Sequence, residues 1–151
     1  DDKKKNLLIE TFGNIENAIN FLIVPERKIS DYLTQEKQAI SLGSASKNAR
    51  MILKKVHLIN QFDAIVDGND VIKGKPNPEV FLKAAKELNT AAKDCIVFED
   101  SMAGIQAANA ANMISIGIGD KEILHEADYI FNDFTEIGVG FIKELIKEKK
   151  M

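Results

Sequence analysis

CIVFEDSMAGIQAANA, residues 95–110, decides the fold. Cys95 to Phe98 carries no polar alternation, the pattern of a strand buried on both faces. Two carboxylates follow, Glu99 and Asp100, and an Ala-rich helical stretch, Ser101 to Asn112, begins at once. Further along come strands at Ile114–Ile118, closed by Gly117 and Gly119, and at Tyr129–Phe131, then a helix over Phe141–Lys149. Upstream, Pro78–Leu88 reads as a helix with Val80, Phe81, Ala84, Ala85 and Leu88 on one side. Before it stand a strand at Ala64–Val66, a helix over Asn48–Leu58 with Ile52, Leu53 and Val56 apolar, and a strand at Gln38–Gly43. A short helix at Ile29–Gln35 and a strand at Asn6–Ile9 complete the pattern. Strands alternating with helices predict an α/β protein of three layers, its mainly parallel sheet covered by helices on both faces.

The bulk properties narrow the function. A chain of 151 residues fits one domain, spanning 1–151, and buries a real core. The net charge of −3 argues against a general nucleic-acid or membrane-surface binder. A single cysteine, Cys95, excludes an intrachain disulfide framework and fits a reducing compartment. The charged start DDKKK has no signal-peptide pattern, and no apolar run approaches the ~20 residues of a membrane span. The expectation is a cytoplasmic monomer with Cys95 as an inert core thiol and His57 and His125 at the surface.

In parallel sheets ligands sit at the carboxyl ends of the strands, and three clusters fall there. The first is Ser44-Ala45-Ser46-Lys47-Asn48, where hydroxyls, backbone N–H groups and a lysine suit a phosphate at the start of a helix. The bland alternative is an N-cap by Ser44 or Ser46. The second is KGKPNPEVF, 73–81. Pro76 restricts Lys75 to an extended backbone and Pro78 starts the helix, so Lys75 is aimed across the strand ends or is a solvated turn lysine. The third is Glu99-Asp100, which suits Mg²⁺, or merely caps a helix together with Ser101. Gly104, inside that helix, is unfavourable unless another backbone packs closely there. A hydroxyl, a lysine and an acid pair, in this order at successive strand ends, describe a phosphoryl-transfer site.

LGSASKNA, FDAIVDG, KGKPNPEVFLKAA, CIVFEDSMAGIQAA and IGIGDKE together resemble the haloacid dehalogenase (HAD) superfamily, in its β-phosphoglucomutase-like subgroup. The likeness runs over Ile40–Phe131 and assigns residues 38–151 to a Rossmann-like family core. It implies that Ser44, with the Ala45 N–H, holds the transferring phosphate, and that Ser46, Lys47 and Asn48 hold the second phosphate of a sugar bisphosphate. It implies that Lys75 neutralises the transferring phosphate and that Glu99 and Asp100 hold Mg²⁺. The implied partner is a phosphorylated sugar.

The N-terminal segment, 1–37, departs from that pattern. The family carries DxDG after its central strand, the first Asp being the nucleophile and the second the acid/base. In LLIETFGNIEN, 7–17, Glu10 and Phe12 fall on those two places. Glu is one methylene longer than Asp, and Phe moves no proton. The helical cap of relatives has no counterpart between Asn14 and Gln38. The expectation is a chain of weak or no activity. The family implies a mutase acting on β-glucose 1-phosphate, with a sugar-phosphate phosphatase or a non-catalytic phosphate-binding core as alternatives.

Overall fold

The computed structural model describes residues 9–12, 40–44 and 46–150. The strands are β1 (Ile9–Phe12), β2 (Ile40–Gly43), β3 (Ala64–Val66), β4 (Cys95–Glu99), β5 (Ile114–Ile118) and β6 (Tyr129–Phe131). The helices are α1 (Ala49–Lys55), α2 (Glu79–Glu87), α3 (Met102–Ala110) and α4 (Val139–Lys150). The strands form one sheet in the order β3-β2-β1-β4-β5-β6, and every pairing is parallel. The expected helix Ile29–Gln35 and strand residues 6–8 and 38–39 lie outside the described residues. The first strand reaches Phe12 rather than ending at Ile9.

β4 shows why both faces are covered. All five of its residues are buried. Ile96 and Phe98 point to one side, into a core with Leu42, Leu53, Ile116, Phe134, Ile142 and Leu145, which α1 and α4 close. Cys95 and Val97 point to the other, into a core with Val66, Val80, Phe81, Ala84, Ala107 and Ala108, which α2 and α3 close. Alternate residues of a strand face opposite ways, so Glu99 belongs to the α2/α3 side. The alanines of α3 let that helix lie close to the sheet.

The first three helices end alike. His57, Asn89 and Asn112, each two residues past a helix, have positive φ of 59°, 53° and 59°. In each case the next N–H reaches back to close the last turn: Leu58 to the Leu53 carbonyl, Thr90 to Ala85 and Met113 to Ala108, at 2.9, 3.0 and 3.1 Å. This is the Schellman arrangement, which favours Gly and tolerates Asn. His57 is the poorest fit, so His57→Gly should stabilise the protein. Relief of left-handed strain of about 1 kcal/mol, partly offset by the entropy of glycine, leaves a gain of roughly 0.5 kcal/mol. Thermal unfolding should show a rise of about 1–2 °C.

Candidate active site

The sheet reverses its winding around β1. β2 lies on one side of β1 and β4 on the other, and such a switch point opens a crevice at the carboxyl ends. Phe12 is level with both Leu42 and Phe98. Ser44 and Asp100, each two residues further on, therefore stand at one level on either side of β1. Two strand spacings separate them, about 10 Å. Glu10 is level with Ile40 and Ile96, three positions short of Glu99. The register sets Glu10 in the body of the sheet, about 10 Å below the level of Glu99.

The acid pair divides its labour. Glu99 is 1 % exposed and points into the α2/α3 side. Its Oε2 accepts from Lys75 Nζ at 2.7 Å. Its Oε1 accepts from the Asp100 and Ser101 N–H groups, at 3.0 and 3.3 Å, and from the Ser101 hydroxyl at 3.2 Å. Burial pushes the Glu99 carboxyl up, the Lys75 ammonium pulls it down, and the neighbouring Asp100 carboxylate adds to the rise. Ser101 caps α3, its Oγ accepting from the Gly104 N–H at 3.1 Å. The cap is thus Ser101, and Asp100 is left exposed at the strand end.

Gly104 explains how Glu99 fits. A Cβ on residue 104 would fall 2.0–2.2 Å from the Cδ, Cγ and Oε2 atoms of Glu99. The close neighbour is the carboxylate side chain, where a backbone was expected. Lys75 reaches Glu99 from the loop before α2, with its Nζ 5.0 Å from the centre of the Phe81 ring. Its side chain is only 12 % exposed, so it is not the solvated turn lysine. The Lys75–Pro76 peptide is cis.

The loop after β2 is built from hydroxyl turns. Ser44 Oγ accepts from the Ser46 N–H at 3.1 Å, and Ser46 Oγ accepts from the Asn48 N–H at 3.2 Å. Each hydroxyl keeps its own proton as a donor for another oxygen. Neither serine caps α1: the N-cap is Asn48, which makes no side-chain capping bond. Lys47 and Asn48 are exposed, Ser46 is half-buried and Ser44 is buried. Ala45 lies outside the described residues.

Sequence reasoning missed what stands behind this loop. Arg50, in the first turn of α1, reaches the segment after β3. Its guanidinium donates to Asp67 Oδ2, to Asp70 Oδ2 at 3.2 Å from both terminal nitrogens, and to the Ile65 carbonyl at 2.7 Å. Burial works against the Arg50 charge, but the two carboxylates outweigh it and raise the guanidinium. The Asp67 N–H, 2.9 Å from Asp70 Oδ2, is foremost in holding Asp70 below the usual carboxylate range, with Arg50 adding to it. The partners lie 17 and 20 residues from Arg50, so no local pattern announces them.

The other singled-out residues are structural. Cys95 is fully buried. His57 and His125 are exposed. Among the described residues no helix is long and apolar enough to cross a membrane.

A magnesium ion fits part of this donor set. Among the described residues no three His, Cys, Asp or Glu side chains converge. Asp100 is exposed beside a second carboxylate, and a hard cation that takes one or two carboxylates and fills its shell with water and phosphate oxygens suits it. Glu99 Oε1 already takes three donors and Oε2 takes one, so an ion reaching Glu99 would share the carboxylate with Lys75 through Oε2.

The model of the haloacid dehalogenase-like hydrolases matches residues 2–118. The chain belongs to that family. The β-phosphoglucomutase of Bacillus subtilis (strain 168) is 37% identical over 112 residues, which cover 74% of this chain and 50% of that protein. A phosphorylated carbohydrates phosphatase of Thermotoga maritima is 30% identical over 115 residues, 73% of this chain and 53% of that protein. The crystal structure of a β-phosphoglucomutase from Clostridium difficile superposes with a TM-score of 0.76 at 36% identity, covering 81% of this chain and 55% of that one. The HAD-type, Rossmann-like fold follows from that likeness. The chain spans about half the length of the curated relatives it matches. The family match begins inside the N-terminal segment that departs from the DxDG pattern.

Proposed function

We propose that this chain is the phosphate-gripping core of a Mg²⁺-dependent HAD enzyme acting on phosphorylated sugars, of the β-phosphoglucomutase kind. The observation that carries the proposal is the Lys75–Glu99 pair, 2.7 Å apart beside the exposed Asp100. A lysine side chain only 12 % exposed and aimed at a strand-end carboxylate is held for an anion better than for solvent. Ser44 supplies a hydroxyl proton to the transferring phosphate, and Lys75 offsets its charge. Ser46, Lys47 and Asn48 take the second phosphate. Asp100 holds Mg²⁺, which when bound neutralises charge on the phosphoryl oxygens.

The register of Glu10 favours slow or no turnover by these 151 residues. The test is incubation with Mg²⁺ and β-glucose 1-phosphate plus a trace of glucose 1,6-bisphosphate, following glucose 6-phosphate and free phosphate. We expect turnover far below the ~1–1,000 per second typical of enzymes. Glucose 6-phosphate formed at an ordinary enzymatic rate would overturn the claim of lost chemistry and reveal a nucleophile. Free phosphate at such a rate would replace the mutase reading with a phosphatase.

A further inference from the structure

The last residue of β3 and the segment after it back the phosphate loop at three successive points. The Ser44 N–H donates to the Val66 carbonyl at 2.9 Å, and the Gly68 N–H donates to the Ser46 carbonyl at 3.4 Å. The Asn69 side-chain amide donates to the Lys47 carbonyl at 3.3 Å. This segment is itself knotted. Asp67 is 2 % exposed, and its Oδ1 accepts from the Asn69 N–H at 2.8 Å. Its Oδ2 meets Arg50, which also takes Asp70 and the Ile65 carbonyl. Arg50 binds both carboxylates of the knot, while Lys83 Nζ donates to the Asp70 backbone carbonyl. A planar guanidinium with several fixed donors is what binding two carboxylates and a carbonyl at once requires, and a lysine has no such fork. An arginine one turn from a phosphate loop is thus committed to the support of that loop.

We propose that Arg50 is a positioning residue that sets the affinity for the second, non-transferring phosphate by holding the 66–70 segment against Ser46 and Lys47. This rests on the reading of Ser46–Asn48 given under the proposed function. The path runs from Arg50 through Asp67 and Asn69 to the backbone of Lys47, the residue before the N-cap of α1. Ser44 and Lys75, which face the transferring phosphate, lie off that path except at the Ser44 N–H. Loosening the knot therefore weakens a bisphosphate more than orthophosphate.

The experiment is calorimetric titration of glucose 1,6-bisphosphate and, separately, orthophosphate, with Mg²⁺ present, into the full chain and its variants. Arg50→Met should weaken the bisphosphate about tenfold and orthophosphate less than threefold. Arg50→Lys should not restore it. Asn69→Ala, which cuts only the reach to Lys47 and leaves the ion pairs, should lose about threefold on the bisphosphate alone. It keeps the test open if Arg50→Met unfolds. Equal losses on both ligands, or no loss in Asn69→Ala, would overturn the positioning role while leaving the phosphate grip intact. No binding of either ligand by the unaltered chain would overturn the proposed function, and the role of Arg50 with it.

Discussion

Lys75→Ala should both weaken phosphate binding severely and destabilise the protein, and the two effects can be separated. Removing the ammonium leaves Glu99, 1 % exposed, with N–H and O–H donors but no cation. Breaking a buried pair by deleting one partner costs about 3–5 kcal/mol. Three remaining donors and the option of taking up a proton place this case near about 3 kcal/mol. Orthophosphate affinity should fall at least thirtyfold, because the charge that offsets the anion is gone. The double variant Lys75→Met/Glu99→Gln separates the two effects. A neutral pair of similar volume has no buried charge to strand, so most of the stability should return. Phosphate binding should not return. Denaturant unfolding and calorimetry on the same preparations give both readings. If the double variant binds phosphate as well as the unaltered chain, Lys75 is a structural ion-pair partner and the functional reading of this loop fails.

Gly104→Ala should reverse the usual rule for helices. An alanine in a helix interior is ordinarily better than glycine by about 1 kcal/mol. Here the new Cβ would overlap Glu99 at 2.0 Å from Cδ. Glu99 would have to swing out of its bed on the first turn of α3. It would leave Lys75 and the Asp100 and Ser101 amides as it goes. Overpacking of this kind costs about 1–3 kcal/mol. The expected result is lower stability together with phosphate affinity reduced at least tenfold. The paired control is Gly104→Ala/Glu99→Ala, which removes the obstructing atoms. It should recover much of the stability and none of the affinity. A Gly104→Ala protein more stable than the parent, with binding unchanged, would mean that Glu99 moves aside freely and positions nothing.

The sequence made the layered fold readable because its periodic signals are local. The run of buried residues in β4, the apolar face of α2 and the Pro78 start all show within a dozen residues. The strand-end clusters were legible for the same reason, since each sits where an apolar run stops. Three features depend on distant neighbours and were not. The division between Glu99 and Asp100 depends on which sheet face each side chain takes and on Lys75, 24 residues upstream. Gly104 announced a close approach, but its neighbour became visible only once α3 was folded back on β4. Arg50 looked like one more polar residue of α1, since Asp67 and Asp70 become its neighbours only through the β2–β3 pairing. The N-terminal strand is the converse case. Reading Glu10 onto a motif fixed its neighbours in sequence but not its height in the sheet, and the register with Ile40 and Ile96 supplied that.

The central claim is that phosphate is seated between the loop after β2 and the carboxyl end of β4. Backbone amide shifts of the ¹⁵N-labelled chain during a titration with orthophosphate and Mg²⁺ test it most directly. The account predicts saturable shifts concentrated at Ser44, Ser46, Lys47, Asn48, Lys75 and Asp100, with those of Asp100 requiring Mg²⁺. Shifts centred instead on the surface lysines Lys73, Lys83 and Lys86, which line an open cavity of about 370 Å³ beside α2, would contradict it.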